Sequence, residues 1–390
     1  MFLLSFFELP KGVRKRLDSV RSRFFWQSDH QKKKYRLTKW NIICRSKHQG
    51  GLGIEVLDIK NKCLLSKWLF KLLTEEGVWH ELLYNKYIGS KTLAQVVAKP
   101  NDSPFWKGIM RVKNDFFKHI SFTLGNGQGI RFWEDPWLGD TPLAVQYPML
   151  FNIVRHKEVL VSQVLAHDHL NIQFRRSLVG DRWTTWLQLV ERLMDVSLTD
   201  NVDTYTWKLM PSGVFSVKSL YVDNMNDHTR FLRTYLWKLK VPLKIKIFMW
   251  FLHRKVLLTK DNLIKRRWTG CKKCVFCDAD ESVEHLFISC PLARQIWRLI
   301  HFTFNITPPT SITNMFGNWL NGVDKKTKAN IRVGVCAFLW AIWNCRNDVV
   351  FNNAGVGHFL QVVHRATYWI HMWSFLQPEN QRGRDRKSVV

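Results

Sequence analysis

At 390 residues with 46% apolar side chains, the chain is long enough for one to three domains with buried cores. Its net charge of +28, from 59 Lys+Arg against 31 Asp+Glu, favours a polyanionic partner: nucleic acid first, an anionic membrane second. Eight cysteines, four of them clustered, do not make a disulfide framework in a chain this long and fit a reducing compartment, nucleus or cytoplasm.

The opening MFLLSFFELPKG lacks the charged flank and small-residue cleavage site of a signal peptide, so a secreted protein is not expected. The longest uncharged apolar run, Val333 to Trp343, is about half the ~20 residues needed to cross a bilayer, and no membrane span is expected. Residues 1–50 carry thirteen Lys/Arg against three acids, with Lys32-Lys33-Lys34 among them and a helical pattern at Val13, Leu17, Val20 and Phe24. After Gly50-Gly51-Leu52-Gly53 a helix is expected from about Leu57 to Leu73, with Ile59, Cys63, Leu64, Trp68 and Leu72 on one stripe; Trp79 to Tyr87 adds a shorter one. Ser103-Pro104 opens the next helix, which runs to Phe116.

Asn126-Gly127 between Phe122–Leu124 and Ile130–Trp133 predicts a local hairpin. A phosphate-cradle reading of this glycine-rich loop fails, because no helix N-terminus or Lys-Ser/Thr follows. Residues 150–200 read as helices of a small domain. Tyr205, Trp207 and Leu209, a turn at Pro211-Ser212-Gly213, then Phe215 and Val217 predict a second hairpin leading into a helix near Ser219. A mobile link is expected at about 223–229.

From residue 230 to 273 there are fourteen Lys/Arg and one acid, Asp261. Pro242 starts a helix expected to bury Leu243, Ile247, Trp250 and Phe251, leaving Lys244, Lys246, Arg254 and Lys255 to solvent; Thr259 caps another that ends in Lys265-Arg266-Arg267. These seven basic residues are the candidate nucleic-acid contacts. A charge run is usually a solvated face, but one acid in 44 residues favours phosphate. Most of the nineteen tryptophans are expected in cores, the remainder available to stack on bases.

Cys274, Cys277, His285 and Cys290 follow in the order C-x2-C-x7-H-x4-C. Three thiolates and an imidazole complete a closed tetrahedral zinc shell, which serves structure and leaves no position for water. Reduced, half-buried cysteines beside a histidine are the bland alternative. Cys271 offers an overlapping C-x2-C pair and stands as a spare or a substitute. Glu281 and Glu284, the nearby acids, read as solvated loop residues. Beyond the cluster, Lys328 to Phe351 forms a strongly apolar helix, and a basic tail, 382–387, follows.

The run WKLKVPLKIKIFMWFLHRKVLLTKDNLIKRRW from Trp237, the Cys/His cluster and HLFISCPLARQIW together resemble a reverse-transcriptase zinc-binding domain. RSRFFWQSD from Arg21, YRLTKWNIICRSKHQGGLGI from Tyr35, NKCLLSKWLFKLL from Asn61, GIRFWEDPWLGDTPL from Gly129 and LWAIWNCRNDVVF from Leu339 are similar to the C-terminal part of plant LINE-type (non-LTR) retrotransposon reverse transcriptases. The resemblance implies a basic helical thumb-like segment at 1–90, a helical and hairpin connecting region at 91–222, the zinc-binding domain at 230–300, a C-terminal helical region at 301–377 and a disordered basic tail at 378–390. The expected fold class is mainly α with short β-hairpins (α+β), with a small zinc-stabilised module in the C-terminal half.

Polymerase chemistry needs clustered carboxylates for two magnesium ions. The family's palm ends in adjacent aspartates, yet the only adjacent acids here are Glu75-Glu76, Glu134-Asp135 and Asp280-Glu281. Glu134-Asp135 reads as a surface turn before Pro136. After Cys290 only Asp324, Asp348, Glu379 and Asp385 remain, too few for the family's ribonuclease H carboxylates. Met1 falls just beyond the family's palm. The expectation is a structural Zn2+, no catalytic residue, RNA or DNA as a sequence-independent partner, and no small-molecule substrate. The alternatives are a polymerase fragment served by a palm from another chain, and an expressed relic without function.

Overall fold

Residues 2–26, 35–89, 91–93, 96–139, 141–165, 169–225, 231, 233–352, 355 and 358–376 are described by the structure, a computed structural model. The lysine triplet at 32–34, residues 226–229 of the expected link, and the basic tail at 378–390 lie outside the described residues. Among the described residues the architecture is mainly helical with one small antiparallel sheet. The chain divides into two compact units, residues 1–21 with 55–228 and residues 22–54 with 229–390. Residues 22–54 thus fold with the C-terminal half and not with their neighbours in sequence.

In the first unit the helix Leu57–Thr74 is the central element. It buries Cys63, Leu65, Leu69 and Leu72 against Pro104–Phe117 and Val217–Asn224. Asn61, also buried, ties down the preceding chain: its amide donates to Leu4 O and Phe7 O, and its Oδ1 accepts from Leu9 N. Ser103 caps Pro104–Phe117 by accepting from Trp106 N, and Pro104 fills the first helical position, where no N–H is needed. The helix Lys11–Trp26 forms as the periodicity predicts. Its stripe stays largely outside, with Phe24 85% exposed, while Ser22 and Trp26 are buried.

The two expected hairpins do not form as such; their first strands pair with each other. β1 (Ile120–Thr123) and β2 (Thr204–Trp207) are antiparallel, with Ile120 opposite Trp207 and Thr123 opposite Thr204. The physical cause is Asp203, just before β2. Its buried carboxylate accepts the N–H groups of Gly125 and Gly127 on Oδ1 (2.8 and 3.0 Å) and of Gly129 on Oδ2 (2.8 Å). The glycine loop therefore wraps an internal anion and does not close a tight turn. Gly127 has φ +69°, and a Cβ there would lie 2.7 Å from Ser162 N, so only glycine fits. Ile130 and Phe132 bond instead to Val161 and Val159.

Asp135 corrects a second expectation. It is buried at 2% exposure and is no surface turn; one carboxylate oxygen accepts Arg131 N at 2.7 Å. Burial pushes its pKa up to about 7, Glu134 adding to the rise and the Arg131 N–H opposing it. An unfolded aspartate titrates near 3.9, so the proton is bound more tightly in the fold. The stability this gives is full below about pH 4 and is lost as pH rises through about 7. Between pH 5.5 and 8 the first unit should lose about 2 kcal/mol relative to Asp135→Asn, read as the difference between their urea midpoints at each pH. Parallel pH profiles would rule this out.

In the second unit the helix Leu243–His253 buries Ile245, Phe248, Met249, Trp250, Phe251 and Leu252. Leu243, expected inside, is 63% exposed in the first turn after Pro242, and Ile247 is half-buried. Trp250 sets this register, because its indole N–H donates to Gly50 O at 2.9 Å within the core. The long helix Lys325–Asn352 and its partner Phe359–Ser374 contribute Val335, Leu339, Ile342, Val362 and Trp373 to the same core. Among the described residues no helix is long and apolar enough to cross a membrane.

Candidate metal centre

The backbone builds the cluster from two turns. Cys274 N donates to Ala279 O at 2.8 Å and Lys273 bridges Asp280, so Cys274 and Cys277 lie on one short loop. Phe276 N points at Cys274 Sγ, 3.5 Å away. On the other side, His285–Ser289 forms a wide turn closed by Cys290 N donating to His285 O at 2.7 Å. A five-residue spacing closed this way places His285 and Cys290 on the same side. Pro291 then starts the helix Pro291–Phe304, anchored by buried Ile296, Trp297 and Ile300.

The ligand atoms of Cys274, Cys277, His285 and Cys290 all lie within 4.8 Å of one another. A tetrahedral zinc with three sulfurs and one nitrogen needs donor separations of about 3.5 to 3.8 Å, so the set fits with little movement. His285 Nε2 is 3.2 Å from Cys277 Sγ, and its Nδ1 is 3.4 Å from Ser289 Oγ. The nitrogen facing the sulfurs is therefore the one free to ligate, with the hydroxyl orienting the ring from behind. The contact between the Cys274 and Cys290 sulfurs holds Cys274 well below the ordinary thiol range, and the same contact, with burial, pushes Cys290 up. Around a divalent cation both sulfurs would be thiolates. Cys271 is exposed and outside the group. Among the described residues this is the one gathering of three or more metal-type ligands.

Of the two nearby acids, Glu281 is buried and not solvated, while Glu284 is half-buried and held at the surface by specific partners. Glu281 is 1% exposed and pairs with Arg346 of the Lys325–Asn352 helix: Arg346 Nη2 donates to Oε1 at 2.8 Å. The same Oε1 accepts Lys260 N at 2.9 Å. Glu284 accepts Ile312 N at 2.7 Å and lies 3.0 Å from Lys255 Nζ. A lone arginine inside the apolar run LWAIWNCRNDVVF was the available signal for such a buried pair.

Of the seven basic candidates, Lys244, Lys255, Lys265 and Arg267 are exposed, and Lys246, Arg254 and Arg266 half-buried. Lys246 Nζ donates to Trp237 O, and burial with nearby Lys47 and Lys240 lowers its pKa. Burial and nearby Arg45 do the same to Arg254, which lies over the Trp250 ring. Arg266 donates to Arg36 O and lies over Tyr35; Lys265 is 3.5 Å from Asp261. Arg45, Lys47 and Lys240 thus join the positive field, although the first two are about 200 residues away in sequence. Of the nineteen tryptophans only Trp79 and Trp183 are exposed, so most rings are used in packing.

Residues 215–297 match the family model described as zinc-binding in reverse transcriptase. The chain is 30% identical over 301 residues to a protein of Arabidopsis thaliana that carries ribonuclease H in its name, an alignment covering 74% of this chain and 48% of that protein. It is 29% identical over 146 residues to an uncharacterised mitochondrial protein of the same plant, covering 37% of this chain and 95% of the relative. The chain therefore spans about half the length of the first of these relatives. Together the match, the relatives and the Cys3His cluster support a retrotransposon-derived chain with a reverse-transcriptase-type zinc-binding domain at residues 215–297.

Proposed function

We propose that the chain is a zinc-stabilised nucleic-acid-binding remnant of a plant LINE-type reverse transcriptase, without polymerase or ribonuclease H chemistry of its own. The observation that carries this is the Cys3His group, set in one core with a basic block holding a single acid in 44 residues. Zinc holds the loop and does no chemistry, since four protein donors fill its shell. Lys244, Lys255, Lys265 and Arg267 reach solvent and meet phosphate; Arg45, Lys47, Lys246, Arg254 and Arg266 raise the local potential behind them. RNA or DNA is then held by its backbone with little sequence preference.

Salt titration tests this reading. Each phosphate neutralised contributes roughly 0.7 to 0.9 to the slope of log affinity against log salt. Replacing Lys265, Arg266 and Arg267 by Gln should weaken binding to all single-stranded RNAs alike and flatten the slope by about two units. A merely solvated face predicts no change in slope. Tighter binding to anionic vesicles than to RNA would favour a membrane partner instead.

A further inference from the structure

We propose that a cleft between Arg233 and Arg332 is a phosphate-binding site. It lies in the second unit, is lined by none of the seven basic residues named above, and has a volume of about 660 Å³. Arg233, Tyr235, Thr313, Asn318 and Arg332 are among its lining residues, and among the described residues no carboxylate lines it. The Arg332 guanidinium sits 3.7 Å from the centre of the Tyr235 ring, whose hydroxyl donates to Phe316 O at 3.2 Å. Stacking uses the face of the guanidinium and leaves its N–H edge for a ligand. Arg233 Nε is buried without a hydrogen-bond partner among the described residues. Among the described residues neither arginine has an ion-pair partner, although the structure pairs several exposed basic residues elsewhere.

Two guanidinium groups beside a hydroxyl and a carboxamide, with no acid, match the oxygens of a phosphate, which accepts fork-shaped donation from Arg. The phosphate belongs either to a nucleic-acid strand or to a free polyphosphate. The strand version rests on the function proposed above.

The experiment uses the full zinc-loaded chain, a labelled single-stranded RNA and, separately, tripolyphosphate by calorimetry. Arg233→Gln/Arg332→Gln should flatten the RNA salt slope by about one and a half units and weaken tripolyphosphate binding at least tenfold. Thr313→Glu, at an exposed position on the cleft wall, should weaken both ligands and decides the matter if the double variant fails to fold. RNA and tripolyphosphate binding equal to wild type in the folded variants overturns the cleft while the nucleic-acid reading stands. Tripolyphosphate binding lost in the variants, with no RNA binding by wild type, keeps the cleft and sinks the strand. Binding of neither ligand by wild type sinks both.

Discussion

Purified chain should contain about one zinc, and Cys277→Ser should lose it along with the fold of the second unit. An unfolded chain has no preformed site, so metal affinity appears as folding energy, on the order of 10 kcal/mol in small zinc modules. Cys274 and Cys290 belong to the same core as Phe248, Trp250, Leu286 and Trp297. Chelation should therefore melt well beyond the loop, exposing tryptophans that a loop-only transition would leave buried. The core of the first unit contains none of the ligands and should persist. Elemental analysis and tryptophan fluorescence during chelator titration read both effects. Full zinc in Cys277→Ser with loss in Cys271→Ser would move the site to the upstream cysteine pair.

Removing one partner of the Glu281–Arg346 pair should cost about 3 to 5 kcal/mol, because the other charge stays buried without compensation. Arg346→Ala should thus lower the unfolding midpoint of the second unit sharply. The double variant Glu281→Gln/Arg346→Met keeps an acceptor for Lys260 N and leaves no buried charge, so it should recover most of the loss. Denaturant melts of the wild type, Arg346→Ala and the double variant decide. If Arg346→Ala costs no more than about 1 kcal/mol, the pair is solvated in solution and does not clamp the zinc loop to the long helix.

Helix positions were legible where their signals are local. Ser103-Pro104 marked a helix start found at Pro104, and apolar periodicity marked the bodies of Leu57–Thr74 and Lys325–Asn352. The four metal-type ligands are gathered by two short turns, and that too is local. Long-range pairing was not legible. Nothing near Phe122 announces that its partner is Tyr205, because the deciding group is a carboxylate at position 203 that collects three distant N–H groups. The Leu243–His253 register was misjudged for a similar reason: Gly50 O, about 200 residues earlier, fixes the Trp250 indole. Glu281 read as a loop acid because its arginine lies 65 residues later.

The interleaving of the two units has a consequence during synthesis. Residues 22–54 leave the ribosome early, yet the core that buries Trp26 and Ile43 is supplied by residues 229–390. At about 5 to 20 residues per second, the intervening 55–228 stretch separates them by roughly ten to forty seconds. Over that interval the early segment has no native core to join, while the first unit can already collapse around Leu57–Thr74. The C-terminal unit therefore completes late, by capture of a segment made long before. That order makes the basic early segment, rather than the zinc loop, the part of this unit that waits longest unfolded.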